Sequence, residues 1–283
     1  MQTIKNGFLT VEIAERGAEL MSVKDASGKE YLWQGTAPFW SSRASNIFPV
    51  CGRLYHSKYS YRGKEYEMGV HGFARKTEFR CIENSGDRAV FRLCSSDASR
   101  AMYPFDFVFD VTYVLDGPAV SCRFDILNAG NENMIFAVGG HPGFNVDGIE
   151  NYTVEFTGKP EKMVFSESYL DAEKTEEYPM RDGRFIGLRH DLFDNDALFF
   201  RGVGDKVTLH NGNGGDIVVT CPKANFWGIW HNPKTEAPFV CIEPWYGFPG
   251  REGVIEDLTE KKYTVTLGAG EKYDYGYSVE IKK

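Results

Sequence analysis

The sequence has no long apolar run. No uninterrupted apolar stretch approaches the ~20 residues that a membrane-spanning helix requires. The first residues, MQTIKNGFLT, also lack the basic segment followed by an apolar segment that marks a secretory signal. These two absences predict a cytoplasmic protein with no membrane partner.

Basic residues are neither dominant nor clustered. The 32 Lys and Arg residues are outnumbered by 40 Asp and Glu residues, for a formal net charge of -8, and they are scattered along the chain. Nucleic acids and anionic membranes bind proteins through concentrated positive charge. The sequence therefore predicts no nucleic-acid partner and favours a neutral or cationic small molecule.

Cysteine is sparse and shows no paired spacing. The six cysteines lie far apart, without a CxxC pair, at positions 51, 81, 94, 122, 221 and 241. This spacing excludes the dense disulfide framework of small secreted proteins. We expect most of them to be reduced thiols in the core, with a redox or nucleophilic role for one as the less favoured alternative.

Motifs of the common cofactor and metal enzymes are also missing. The sequence has no GxGxxG or P-loop, no HExxH or short His-x-His spacing, and no GxSxG elbow. With 283 residues, 42% of them hydrophobic, the chain can bury a large core without metals or cross-links. These absences argue against a metal site, although distant metal ligands leave no sequence signal, and the sequence offers no motif for a nucleotide cofactor.

Long helical patterns are scarce, and alternation of apolar and polar residues takes their place. This two-residue period of a half-buried strand recurs in FLTVEI, AVFRLC, FVFDVTYVL, VSCRFDIL, YTVEF, KVTLH, DIVVTC, KYTVTL and YSVEI. Turn residues stand between such runs in DASGKE, LDGPAV, NAGNEN and HNGNGGD, which predicts hairpins. Short helices are expected only near residues 96–103 and around residues 167–173.

These strand signals continue from residue 8 to 280 without a linker or a repeat of fixed period. They predict an all-β fold, a large antiparallel β-sandwich formed by a single domain of residues 1–283. The irregular stretches at 36–79, 140–150, 186–200 and 222–252 are rich in Gly, Pro, aromatics, His and Arg. Function is expected there, since binding and catalytic residues concentrate in loops.

Two of these stretches contain candidate acid–base residues. In IFAVGGHPGFNV, His141 follows two glycines and precedes Pro142, which predicts an imidazole aimed by a backbone free to adopt unusual angles. In FVCIEPWYGFPG, an apolar strand delivers Glu243 directly before a proline. A carboxylate in such a place is costly without a partner or a function, and burial would raise its pKa toward that of a general base. A structural role is the alternative for each.

Two further stretches contain candidate binding residues. NIFPVCGRLY places Arg53 after a glycine, where its planar guanidinium could donate to two sugar hydroxyls. GVHGFARKTEF places His71 beside a glycine that permits close approach to the imidazole. A surface arginine and a core histidine are the equally favoured alternatives.

Taken together, these stretches resemble the aldose 1-epimerase (galactose mutarotase-like) family, in particular its bacterial LacX-like branch. FP-x-x-GRL at 48–54, HGFAR at 71–75, GGHPGF at 139–144, DAL at 196–198 and CIEPW-x-G at 241–247 occur in the family's order. The match covers nearly the entire chain. It implies a β-supersandwich fold and cofactor-free interconversion of the α and β anomers of a free aldohexose.

The resemblance also implies residue roles. Glu243 matches the catalytic base and His141 the acid, which we expect to face each other across the sugar. Arg53, His71 and Asp196 match residues that bind the hydroxyls and ring of the sugar, and Asp194 is the substitute if the DAL alignment shifts. An aromatic face against the sugar is expected from one tryptophan, although core packing is favoured for each individually, among Trp40, Trp227, Trp230 and Trp245.

One departure leaves the substrate open. Pro-Gly-Phe follows His141, whereas the better-known galactose mutarotases have Thr-Tyr-Phe, so galactose itself is in doubt. The alternatives are a hexose-6-phosphate 1-epimerase and a non-catalytic carbohydrate-binding β-sandwich. Phosphate binding would draw on basic residues among Arg43, Arg53, Arg75 and Lys76. A monomer and a homodimer are equally compatible with the sequence.

Overall fold

The structure, a computed structural model, describes residues 1–282. The strands of the first half of the chain are β1 (Gln2–Lys5), β2 (Leu9–Ile13), β3 (Leu20–Asp25), β4 (Ala44–Ile47), β5 (Lys58–Tyr61), β6 (Lys64–Glu67), β7 (Arg80–Asn84), β8 (Arg88–Cys94), β9 (Phe107–Asp116), β10 (Ala119–Asn128), β11 (Met134–Phe136) and β12 (Val138–Asn145). Those of the second half are β13 (Tyr152–Phe156), β14 (Glu161–Phe165), β15 (Asp171–Glu176), β16 (Phe185–Gly187), β17 (Leu198–Arg201), β18 (Lys206–Asn211), β19 (Asp216–Thr220), β20 (Phe226–Trp230), β21 (Phe239–Tyr246), β22 (Val265–Leu267) and β23 (Lys272–Lys282).

Helical structure is short. The α-helix α1 (Asp97–Met102) lies between β8 and β9, and 3-10 turns occur at Tyr55–Ser57, Ala74–Lys76, Ile149–Asn151 and His190–Phe193. Among residues 1–282 we find no helix with the length and apolar character that crossing a bilayer requires.

Two large antiparallel sheets form the body of the fold. One sheet has nine strands in the order β16-β13-β18-β19-β23-β10-β9-β8-β7, and the other has seven in the order β15-β14-β17-β20-β21-β12-β4. Smaller sheets join β1-β2-β3, β5-β6 and β11-β22. The prediction of an all-β antiparallel fold is confirmed.

The two large sheets meet through a shared hydrophobic core. This core draws residues from Ile4 to Ile281, and the single-domain organisation stays a prediction.

Gly140 of β12 faces Tyr277 of β23, where an added Cβ would lie 2.3 Å from a tyrosine ring carbon. Neither Gly139 nor Gly140 has a positive φ, so the expectation of unusual backbone angles before His141 is wrong. Gly140 lacks a side chain because another sheet packs against its backbone.

The expected helix at residues 96–103 is confirmed. Ser96 caps α1, since its hydroxyl accepts a hydrogen bond from the Ser99 amide and the Ser99 hydroxyl accepts one from the Ser96 amide. The expected helix around residues 167–173 is wrong. There the Ser166 hydroxyl accepts hydrogen bonds from the amides of Ser168 and Leu170, which forms a turn into β15.

The cysteines are free thiols. Four of the six are buried, as expected of core residues, while Cys81 is half-buried and Cys94 is exposed.

Candidate active site

The five predicted site residues meet at one cavity of about 340 Å³. Glu243, His141, Arg53, His71 and Asp196 all line it, although they come from positions spread over nearly two hundred residues. Asp194 is exposed and lies outside this wall. The alignment that selects Asp196 therefore agrees with the geometry, while the roles of the five residues stay predictions.

His141 and Glu243 face one another from neighbouring strands. β12 pairs with β21 so that Gly139 is opposite Trp245 and Gly143 opposite Cys241, which puts His141 opposite Glu243 on one face. His141 Nε2 lies 3.3 Å from Glu243 Oε2. The expectation that a sugar-sized gap separates the two groups is wrong, because directly opposed side chains of paired strands are adjacent.

Burial controls the protonation of this pair. The exposed fraction is 7% for His141 and 2% for Glu243. Burial lowers the pKa of His141 to about 3. Burial, helped by the negative charge of Asp196, raises the pKa of Glu243 well above its usual value. The two groups thus hold one proton over a wide pH range, and without a ligand that proton resides on Glu243.

Aromatic rings enclose the His141 imidazole. Trp40 stacks on it with ring centroids 4.7 Å apart, while Trp230 and His71 approach edge-on at 5.6 Å and 5.3 Å. An indole face stabilises a cation that lies over it. Trp40 therefore opposes the effect of burial by favouring the protonated imidazole.

His71 is fixed as a neutral hydrogen-bond donor. Its Nδ1 accepts a hydrogen bond from the Gly52 amide at 3.2 Å, so the ring proton resides on Nε2. Burial and the nearby charges of His141 and Arg75 lower the pKa of His71 well below 6.5. His71 has a φ of 62° and is followed by Gly72, whose Cβ position would lie 2.2 Å from the Phe48 carbonyl oxygen. Glycine is thus needed after His71, because a side chain at position 72 would clash with the Phe48 backbone.

Arg53 and Asp196 supply opposite charges at the cavity wall. Arg53 is exposed, with Cζ 5.6 Å from the centre of the Tyr169 ring. Burial raises the pKa of Asp196, and the Trp230 side chain and the Arg53 charge oppose this rise. Asp196 follows the 3-10 turn His190–Phe193 with a φ of 75°.

A histidine pair outside the cavity holds the segment that carries Asp196. His231 Nδ1 lies 2.7 Å from the Asn232 carbonyl oxygen and His231 Nε2 lies 3.1 Å from His190 Nδ1. Because the Nδ1 proton is donated to the carbonyl, Nε2 accepts from His190. Burial lowers the pKa of His231 to about 4, which keeps this acceptor unprotonated. No local sequence pattern indicates this pair, since its partners are 41 positions apart.

Three of the four tryptophans considered as aromatic faces line the cavity, namely Trp40, Trp230 and Trp245. Trp227 is 1% exposed and donates its indole N–H to the Gly204 carbonyl at 3.3 Å. Core packing therefore describes Trp227 correctly.

Other lining residues were missed by sequence analysis. Ser42 lies just before β4 and Ser45 lies within it, with hydroxyl oxygens 2.7 Å apart. Phe165, Tyr169 and Phe199 also line the cavity. In sequence Phe165 and Phe199 are indistinguishable from core residues of β14 and β17, and Tyr169 lies in the turn between β14 and β15. Ser41 and Ser42, which also line the cavity, had a visible signal, namely polar residues shortly before a buried strand.

The acid–base pair also belongs to a potential metal site. Donor atoms of His141, Cys241 and Glu243, all buried, lie within 4.8 Å of one another. Such a donor set suits zinc. Burial and the Glu243 carboxylate raise the pKa of the Cys241 thiol well above 9, so binding a metal through sulfur would require loss of a tightly held proton. The prediction that no metal is used remains a prediction.

The chain is similar along nearly its whole length to several known proteins. Protein LacX (plasmid) of Lactococcus lactis subsp. lactis is 29% identical over 96% of this chain and 97% of its own. A galactose mutarotase related enzyme from Lactobacillus acidophilus has a TM-score of 0.94 at 33% identity, over 100% of this chain and 97% of its own. A galactose mutarotase-like protein from Lactobacillus casei has a TM-score of 0.95 at 28% identity, over 99% of both chains.

The family model described as Aldose 1-epimerase matches residues 1–280. This match takes in both large sheets and every residue of the candidate site. The chain belongs to the aldose 1-epimerase family.

Proposed function

We propose that this protein interconverts the α and β anomers of a free aldohexose by acid–base ring opening, without a cofactor. Family membership supports a sugar epimerase or mutarotase role. The observation that carries the proposal is the 3.3 Å contact between His141 Nε2 and Glu243 Oε2 at a cavity of about 340 Å³. Ligand sites of ~300–1,000 Å³ are typical of small-molecule pockets.

Ring opening needs two proton transfers, one at each of the two oxygens bonded to C1. Opening starts with the shared proton on His141, which is then an imidazolium, and with Glu243 ionised. The carboxylate takes the proton of the O1 hydroxyl while the imidazolium protonates the ring oxygen O5. The O1–H electron pair forms the C1=O1 bond, and the C1–O5 pair passes to O5. The products are an open-chain aldehyde, neutral His141 and protonated Glu243.

Closure reverses these transfers. Rotation about C1–C2 turns the other face of the aldehyde toward O5, and the proton on Glu243 returns to O1 while His141 takes the O5 proton. The pair ends with the same single proton it started with, so the reaction consumes no co-reactant.

Contact between acid and base is compatible with this chemistry. Because O1 and O5 are both bonded to C1, two neighbouring groups can reach both oxygens. The one proton held by the pair is enough for both directions. Its two positions, on His141 or on Glu243, are the starting states for opening and closure respectively.

The remaining predicted residues have matching roles in binding. His71 offers its Nε2–H to the ring-oxygen side, where a fixed donor stabilises developing charge. Asp196 accepts hydrogen bonds from hydroxyls, and Arg53 donates to them through its planar guanidinium. Trp40, Trp230 and Trp245 offer apolar surface to the C–H faces of the sugar.

A hexose-6-phosphate 1-epimerase is the second candidate. Arg53 and Arg75 line the cavity and could bind a phosphate, whereas Lys76 and Arg43 lie outside its wall. A non-catalytic carbohydrate-binding protein is less well supported, because burying Glu243 beside His141 is costly and simple binding does not need it.

The test follows the optical rotation of freshly dissolved α-glucose, α-galactose and their 6-phosphates with and without the protein. Faster equilibration of the free sugars supports the proposal. Acceleration of the 6-phosphates alone would favour the second candidate, and no acceleration of any sugar would contradict both.

A further inference from the structure

A second cavity of about 520 Å³ adjoins the candidate active site. The two cavities share a wall made of Phe165, Tyr169, Asp196 and Ala197. Glu243 and His141 line the first cavity and are not among the residues that line the second.

We infer that the second cavity binds a neutral sugar ring attached to the reacting aldose, so that the preferred substrate is a reducing disaccharide. This inference rests on the proposed function and narrows its substrate class. The second cavity is larger than the first, which itself accommodates the reacting ring, so it has room for another ring of the same size.

The position of the acid–base pair fixes the orientation. Glu243 and His141 must reach O1 and O5 of the ring that opens, and its O1 must be a free hydroxyl. The reducing ring therefore occupies the first cavity. Its substituent can enter the second cavity only from a carbon other than C1, past the shared wall at Asp196 and Tyr169.

The walls of the second cavity favour a neutral group over a phosphate. Glu167 and Asp196 contribute carboxylates and Asn195 an amide. Lys162, the basic residue of this wall, lies 2.6 Å from Glu176 and is neutralised by it. Carboxylates accept hydrogen bonds from sugar hydroxyls, and an amide both accepts and donates them, whereas an anionic substituent would be repelled by the carboxylates.

The apolar part of the wall matches a sugar as well. Met163 and Leu198 are buried beneath the cavity, and the rings of Phe165, Tyr169 and Tyr178 stand at its sides. Aromatic and apolar walls with a few polar groups are typical of sites that bind small molecules. Binding of the remote ring can then assist the reaction at C1, since remote contacts hold the reacting ring in place.

The experiment compares anomer interconversion of α-galactose and α-glucose with that of 1→4 and 1→6 linked reducing disaccharides. Anomeric proton NMR measures kcat/KM for each sugar. We expect at least one disaccharide to exceed the free form of its reducing sugar by about tenfold. If free sugars are accelerated and every disaccharide is equal or slower, the inference is wrong while the proposed function stands. If no sugar is accelerated, the proposed function fails as well.

Two variants test whether the preference for a disaccharide depends on the second cavity. Asn195→Trp and Glu167→Trp introduce indoles at exposed positions of the second cavity, and Asn213→Trp is the matched control at an exposed turn elsewhere. Relative to Asn213→Trp, we expect the ratio of disaccharide to monosaccharide kcat/KM to fall about tenfold in the first two variants. An unchanged ratio in both would overturn the inference.

Discussion

The indole of Trp40 stacks on the imidazole of His141, with ring centroids 4.7 Å apart and planes inclined by 28°. Burial alone drives His141 toward its neutral form, yet the acid role requires the protonated form for ring opening. Trp40 supplies the opposing influence, because the face of an indole attracts a cation. Trp40 therefore has two roles in this account. It favours the protonated form of the acid, His141, and it forms part of the cavity wall.

Replacing Trp40 tests this assignment. A cation–π contact contributes ~0.5–2 kcal/mol, so Trp40→Leu should lower kcat/KM by about 2- to 30-fold. The alkaline limb of the pH profile should stay in place, because the proton that is lost there resides on Glu243 in the free protein. Trp40→Phe, which keeps a ring face, is the control and should retain most of the wild-type kcat/KM. Wild-type kcat/KM in Trp40→Leu would contradict the assignment.

The pH profile of the wild-type protein should be bell-shaped with an unusually acidic lower limb. A second proton enters the pair only near the His141 pKa of about 3, and the single proton is lost only above the raised pKa of Glu243. Activity should therefore persist well below pH 6 and decline on the alkaline side. Measured kcat/KM from pH 3 upward would test this, and a lower limb near neutrality would contradict it.

Asp196 should set the position of the alkaline limb. Its negative charge raises the pKa of Glu243, so Asp196→Asn should move that limb to lower pH in addition to weakening sugar binding. Asp194→Asn, two positions earlier on the exposed surface, is the matched control and should leave the limb unchanged. The measurement is the pH dependence of kcat/KM for all three proteins. Equal limbs in wild type and Asp196→Asn would refute the coupling.

Gly140 should tolerate no side chain. Gly140→Ala places a Cβ 2.3 Å from Tyr277, and overpacking of this kind costs ~1–3 kcal/mol of unfolding free energy. Gly187→Ala is the control, since nothing lies within 4 Å of a Cβ there. Urea denaturation should show a lower midpoint for Gly140→Ala at unchanged slope. Equal midpoints for the two variants would show that the sheets are not in close contact at this point.

Metal independence can be tested at Cys241. Proton transfer by His141 and Glu243 does not involve the thiol, so Cys241→Ser should keep kcat/KM close to the wild-type value. Treatment with a chelator should leave the rate unchanged. Stoichiometric zinc in the purified protein, with activity lost on its removal, would instead assign His141, Cys241 and Glu243 as ligands.

Strands with one buried face could be predicted from sequence. β9 and β10 alternate buried and less buried residues along most of their length, and LDGPAV joins them as a hairpin. The strands that carry the acid and base are different. β12 and β21 are buried at seven consecutive positions each. Because apolar and polar residues do not alternate along them, the sequence does not indicate which residues of the two strands are paired.

Turn signals were informative only where the next strand pairs locally. HNGNGGD joins β18 to β19 as predicted. NAGNEN does not form a hairpin, because β11 pairs with β22, which lies more than a hundred residues later. A turn motif specifies the reversal of the chain but not the sheet that the following strand joins.

The site was predictable as a set of motifs but not as a geometry. HGFAR, GGHPGF and CIEPW-x-G identified His71, His141 and Glu243. Their mutual contacts depend on pairing between strands about a hundred positions apart, which no local pattern encodes. For the same reason the sequence-based expectation that acid and base lie on opposite sides of the sugar is wrong. The strand register brings the two groups into contact.

The most direct test of the account is the rate of anomer interconversion in Glu243→Gln, measured by anomeric proton NMR with α-galactose and α-glucose. Glu150→Gln, an exposed glutamate outside the cavity, is the matched control. Loss of a positioned general base costs ~10²–10⁴-fold, so Glu243→Gln should fall by that factor while the control keeps the wild-type rate. Wild-type activity in Glu243→Gln would contradict the acid–base account.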